Sequence, residues 1–225
     1  MSRIVALAAA IGTAALVACA GTRGWTVGAT TKIDITRSEV GAPPADFEFL
    51  RIGEGEPGRW TVVRDTTAID GLAIEHISLD QHENRFPLAI YAPLSPKDFE
   101  VSVRFKIIKG TMQTAGIAAR FVNVDNYYVL SASALEERVD LFRVVNGKME
   151  RIWGMDAEVG LNHWHTLGLI AKHDQFTVSL DKNWLFTARD RTFLVDGHIG
   201  LWTEEDNVTR FDQLDIMALP WSEER

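Results

Sequence analysis

Three side chains on neighbouring β-like runs carry the most chemistry in this sequence: Arg120, Tyr128 and Arg143. If Gly116 to Phe121 and Tyr127 to Ser133 form a hairpin across Val122 to Asn126, and the second strand pairs with Val139 to Val145, the three line up as a cross-strand row. The small Ala118 and Ala132 flank that row. A phenol offers an apolar ring face, and guanidiniums donate to hydroxyl or carboxylate oxygens, so the row could hold a polar ring-shaped ligand. The other outcome is that the two arginines straddle sheet edges and pair with surface carboxylates. A one-residue slip in register would exchange the two faces. The opposite face, with Ile117, Ala119, Phe121, Val129, Phe142 and Val144, is the expected core.

Other constellations are weaker. Trp202 and His198 share parity on one strand, while Ile199 and Leu201 take its other face; Trp202 could stack on a ligand ring or belong to the core. His163-Trp164-His165 sets two imidazoles on one strand face, yet no third ligand or outer partner lies nearby in sequence, so no metal set is assigned. The turn Glu204-Glu205-Asp206-Asn207, with Asp212 beyond it, has the oxygen donors of a calcium site or of an ordinary solvated turn. No phosphate loop precedes a helix, no nucleophile sits in a G-x-S-x-G turn, and no catalytic residue is assigned.

These residues lie on short runs rich in β-branched and aromatic types. They include Trp60 to Val63, Leu72 to Ile77, Leu88 to Tyr91, Phe99 to Ile108, Trp164 to Ala171, Gln175 to Leu180, Leu185 to Arg189, Gly197 to Thr203 and Thr209 to Ala218. Val101, Val103 and Phe105 alternate with Ser102, Arg104 and Lys106, the period of a half-buried strand. Turn residues fall at Lys109-Gly110, Asn146-Gly147 and Asp181 to Asn183. No stretch sustains a helical period, and parallel strands would need crossover helices. The reading is therefore all-β: a two-sheet antiparallel sandwich.

The N-terminus carries an address. Arg3 precedes an apolar run from Ile4 to Val17, too short for the roughly 30 Å hydrocarbon core of a bilayer, and small residues follow. Leu16-Val17-Ala18-Cys19, holding the one cysteine of the chain, resembles a bacterial lipobox. That resemblance implies cleavage after residue 18, lipidation of Cys19 and an exported protein anchored in the cell envelope, with Ala20 favouring the outer membrane. The alternative is ordinary cleavage before Gly21 and free secretion. Residues 19–46, poor in large apolar groups, read as a tether with one short element around Lys32 to Ile35, residues 47–220 as the domain and 221–225 as a tail. With no second cysteine the fold rests on its core alone. A net charge of −8 makes nucleic acid a poor partner, and the membrane is met only through the lipid.

A resemblance spans roughly residues 47 to 218. Gly116-Ile117-Ala118-Ala119-Arg120-Phe121, Asp125-Asn126-Tyr127-Tyr128-Val129-Leu130, Val139 to Gly147, Trp164-His165-Thr166-Leu167, Ala188 to Phe193, and Gly200-Leu201-Trp202-Thr203 with Phe211-Asp212 follow one another in the order of a concanavalin A-like jelly roll. They are similar to the bacterial 3-keto-disaccharide hydrolase (laminin G-like) domains. The resemblance implies two curved antiparallel sheets with glycans met on the concave face or its rim, and in many such sandwiches a calcium ion. Related family 16 glucanases use an E-x-D-x-x-E strand, which neither Glu136-Glu137-Arg138-Val139-Asp140 nor Glu204-Glu205-Asp206 reproduces, so double-carboxylate hydrolysis is not expected. The expectation is a carbohydrate-recognition module binding a saccharide or envelope glycan through Arg120, Tyr128, Arg143, Trp202 and His198. The alternatives are cleavage of 3-keto-disaccharides, begun by a single base at C2, and a structural envelope protein.

Overall fold

In a computed structural model of the chain, described over residues 28–56, 58–78, 80 and 82–220, fifteen strands follow one another. They are β1 (Thr30–Lys32), β2 (Phe47–Ile52), β3 (Arg59–Arg64), β4 (Leu72–Ile77), β5 (Phe86–Tyr91), β6 (Phe99–Lys109), β7 (Thr114–Asn123), β8 (Asn126–Ser133), β9 (Arg138–Val145), β10 (Lys148–Asp156), β11 (His165–Lys172), β12 (Gln175–Leu180), β13 (Asn183–Arg189), β14 (His198–Trp202) and β15 (Val208–Ala218). One 3-10 turn at Ile35–Arg37 is the only helical element among the described residues. No helix there is long and apolar enough to cross a membrane.

The strands form two antiparallel sheets. One runs β13-β12-β11-β6-β15-β4-β3, with β1 beside β15; the other runs β10-β9-β8-β7-β14-β5-β2. Strands distant in sequence lie side by side, β14 between β5 and β7 and β15 between β4 and β6, which is the crossing of a jelly roll. The expected two-sheet sandwich is the fold observed.

The core lies between the sheets, and the alternation on β6 holds: Val101, Val103 and Phe105 are buried there with Leu167 and Leu169 of β11. From the other sheet come Ile117 and Ala119, Tyr128 and Leu130, Leu141, Ile199 and Leu201. A second, smaller apolar cluster covers the outward face of the seven-stranded sheet, built from Leu88, Ile90, Ala118, Val129, Val144 and Trp202. Both faces of this sheet are therefore apolar, and that decides where the site forms.

The expected core set divides between the two faces. Ile117 and Ala119 point inward, whereas Phe121, Val129, Phe142 and Val144 belong to the outward cluster. The register is the cause: Ile117 pairs with Leu130 and Ala119 with Tyr128, so odd positions of β7 share a face with even positions of β8. A bulge follows Ala119, where Arg120 takes a positive φ of 44° and Phe121 swings outward.

Residues 28–46 are part of the sandwich and not a tether. β1 pairs with the second half of β15, Ile35 is buried, and the Gly41 amide donates to the Val62 carbonyl at 2.8 Å. The expected signal segment 1–18, Cys19 and the expected tail 221–225 lie outside the described residues.

Candidate functional site

Across the outward face of the seven-stranded sheet runs a cleft of about 670 Å³. Its floor is aromatic. Trp202, 2% exposed, stacks on Phe86 with ring centroids 5.4 Å apart and planes at 20°, and Phe142 and Met149 carry the apolar surface across β9 and β10. Trp202 lies flat because its cross-strand partner is Gly116. A Cβ on that glycine would stand 3.0 Å from Cε3 of Trp202 and 2.6 Å from the Leu130 carbonyl oxygen.

Polar groups line the cleft above this floor. Ser131 and Ser133 alternate outward on β8, and Asp140 pairs with Ser131 from β9. Asp140 is held by Arg138, whose Nε and Nη2 donate to it at 2.6 and 3.0 Å, and by Arg151 at 3.1 Å. Glu204, just past β14, reaches the Thr114 hydroxyl at 3.5 Å. Burial, with Glu205 and Glu136 adding like charge, pushes its carboxyl up to about 7. Asp125 and Glu136 line the cleft further out, and no Lys or Arg does so among the described residues.

One end wall is held by a buried arginine whose hydrogen bonds go to carbonyls and a hydroxyl. Arg85, fully buried, donates to the Glu56 carbonyl at 2.7 Å, to the Asp80 carbonyl at 3.3 Å, and to the Glu205 carbonyl and Ser78 hydroxyl. It ties together the loops that bear the lining residues Gly53, Asn84 and Glu204.

The structure brings the expected row together, but on the inner face. Tyr128 does pair with Arg143 across strands, yet its ring packs into the inter-sheet core against Phe176 at 4.7 Å. Its hydroxyl donates to Asp190 at 2.6 Å and accepts from the Phe193 amide at 3.0 Å. Arg143 binds Asp190 at 2.9 Å and Glu150 at 2.8 Å. Arg120 is fully buried; it pairs with Asp98 at 3.2 Å and donates to the carbonyls of Lys97, Phe193 and His173. Arg120 and Tyr128 spend their donors inside the fold, and Arg143 spends its own on Asp190 and on Glu150 at the surface. Of the expected set, Trp202 lines the cleft, while His198 sits at the far end of β14, its Nδ1 2.9 Å from the Leu94 carbonyl oxygen.

His165 has both ring nitrogens engaged, Nδ1 with Asp181 at 2.8 Å and Nε2 accepting from the Gly160 amide at 3.0 Å. The ring of Trp164 lies under Arg104 and Lys106 at 4.4 and 4.6 Å. The turn Glu204 to Asn207, weighed as a calcium site or a solvated turn, has several of its donors engaged within the fold. Asp206 accepts from the Thr111 amide and hydroxyl, Asn207 is buried against Thr114 and Gln113, and Asp212 is taken by Arg104 and the Ile69 amide. Among the described residues, no group of three His, Cys, Asp or Glu could hold a metal.

Comparison with known proteins agrees on architecture. The carbohydrate-binding module CBM66 from Bacillus subtilis superposes with a TM-score of 0.61 at 20% identity, over 76% of this chain and 95% of its own. A Bacillus subtilis protein with a galectin-like fold gives 0.62 at 11%, over 88% and 99%. The exoplasmic/lumenal domain of VIP36, bound to Ca2+ and Man3GlcNAc, gives 0.55 at 14%, over 80% and 86%. The chain thus has the galectin-like, concanavalin A-like jelly-roll sandwich. No protein-family model and no curated protein matches its sequence.

Proposed function

We propose that this chain is a carbohydrate-recognition module that holds a saccharide in the cleft on its seven-stranded sheet. The observation that carries the reading is the Phe86 and Trp202 stack on the floor of a 670 Å³ cleft whose upper lining alternates hydroxyls and carboxyls. Pyranose rings present apolar C–H faces and a hydroxyl edge, which matches an aromatic floor beneath hydrogen-bonding groups. The architectural neighbours add support, since one is a carbohydrate-binding module and another is bound to Man3GlcNAc. An array of immobilised glycans probed with wild type and Phe142→Ala tests it. Phe142 lines the cleft and is only half-buried, so its truncation should remove glycan signal while the fold survives; an unchanged pattern would refute the site.

The segment Leu16 to Cys19 supports anchoring of this module in the envelope through lipid on Cys19. Cys19→Ala should move the protein from the membrane fraction to the soluble one, and retention in the membrane fraction would remove the anchor.

One observation favours a second reading, glycoside cleavage. Glu204 titrates near neutrality inside the cleft, as a proton-transferring group should. Incubation with 3-keto-disaccharides decides it: released monosaccharide that disappears in Glu204→Gln supports cleavage, and no release removes it.

A further inference from the structure

We infer, building on the reading of the cleft as a saccharide site, that its ligand is an amino sugar, a pyranose bearing an ammonium group, and that anionic glycans are excluded. The charge of the cleft is one-sided. Asp125, Glu136, Asp140 and Glu204 line it, and no Lys or Arg is among its lining residues. Arg138 and Arg151 answer Asp140, and Arg138 stands 4.0 Å from Glu136. Asp125 and Glu204 have no Lys or Arg partner among the described residues.

Glu204 is the informative member. It follows the aromatic floor by two residues and is partly desolvated, and among the described residues its carboxyl has only the Thr114 hydroxyl, at 3.5 Å, as a hydrogen-bonding neighbour. A carboxyl withdrawn from water without a cation is costly, and a ligand ammonium delivered there restores the missing Coulombic partner. The same ammonium near the partly exposed ring of Phe86 gains from its quadrupole. A uronic acid or sulfated sugar would instead add like charge to a lining that is acidic, with the neighbouring guanidiniums of Arg138 and Arg151 already paired with Asp140.

Calorimetric titration of the chain with three hexasaccharides, of glucosamine, N-acetylglucosamine and galacturonic acid, tests this near pH 7, where Glu204 is ionised in part and pairing with an ammonium favours the charged forms of both groups. The glucosamine oligomer should bind about tenfold or more tighter than its N-acetylated counterpart, and added salt should weaken it. The galacturonate oligomer should not bind. Glu204→Gln should erase most of the glucosamine preference, and Glu136→Gln, at an exposed position, should reduce it. Equal binding of the glucosamine and N-acetylglucosamine oligomers, tight binding of galacturonate, or an unchanged preference in both variants would overturn the amino-sugar class while leaving the saccharide reading in place. Failure of all three oligomers to bind, and of the glycan array as well, would instead remove the saccharide reading itself.

Discussion

Gly116 and Trp202 are cross-strand partners, and the indole lies directly over the glycine, so that a Cβ at position 116 would meet Cε3 of Trp202 at 3.0 Å and the Leu130 carbonyl oxygen at 2.6 Å. The floor of the cleft therefore depends on a missing side chain. Gly116→Ala should lift the ring or shift β8, costing about 1–3 kcal/mol as an overpacked site does, and should weaken saccharide binding severalfold. Urea unfolding paired with binding measurements checks both; a variant with wild-type affinity would show that the ring position does not matter.

Trp202 itself is nearly inaccessible and belongs to the outward cluster. Trp202→Ala should cost about 3–5 kcal/mol, whereas Trp202→Phe should keep the fold and lose binding. Chemical denaturation of the two variants separates the stability role from the ligand role.

Glu204 gives the protein a pH signature. The folded carboxyl titrates near 7 and the unfolded one near 4.5, so the folded state holds a proton that the unfolded state has released between those values. Stability should fall as pH rises from about 4.5 to 7 and level off above, by up to about 3 kcal/mol. In Glu204→Gln that decline should vanish. Thermal midpoints recorded from pH 5 to 8 read this out, and parallel slopes for variant and wild type would contradict it.

Much of the architecture was legible before any coordinates. Alternation on β6 and the run of short strands without helices specified an antiparallel sandwich, because periodicity of two leaves few other solutions. Three strands escaped: β1, which is only three residues long, and β2 and β10. β10 is an edge strand whose Lys148, Glu150 and Arg151 are exposed, so its sequence lacks a buried face. β2 is an edge as well and mixes Glu48 and Arg51 with apolar residues.

The site was harder to read. Tyr127, Val129 and Val144 face outward while Tyr128, Leu130 and Leu141 face inward, and with both faces apolar no hydrophobic pattern says which is inside. On that account the sequence leaves Arg120, Tyr128 and Arg143 open between a ligand row and pairing with carboxylates. The signal that could have found the cleft was fainter: Ser131 and Ser133 on β8 with Asp140 on β9, small polar groups at alternate positions of otherwise apolar strands.

The buried arginine that looked like a ligand contact has a structural consequence. Arg120 and Asp98 pair with both side chains fully buried, so Arg120→Ala strands Asp98 and should cost about 3–5 kcal/mol. The double variant Arg120→Met with Asp98→Asn should lose less than the two single changes together. Equilibrium unfolding of the cycle measures the coupling; strict additivity would mean the pair does not interact as drawn.

Arg85 should act on the cleft wall more than on the core. Its removal leaves the Glu56, Asp80 and Glu205 carbonyls without their donor, each an unsatisfied group of about 1–3 kcal/mol where buried. Hydrogen exchange in Arg85→Ala should accelerate in residues 53–56 and 204–206 before it does in β6 or β15. Uniform acceleration would place Arg85 in the global fold instead.

The structure of the protein with a bound oligosaccharide tests the central claim most directly. A sugar ring in van der Waals contact with the Phe86 and Trp202 floor, with hydroxyls or an amine on Ser131, Ser133, Asp140 or Glu204, is the expected result. A saccharide seated elsewhere, against Trp164 on the opposite sheet or along Arg143 at the sandwich edge, with the cleft empty, would contradict it.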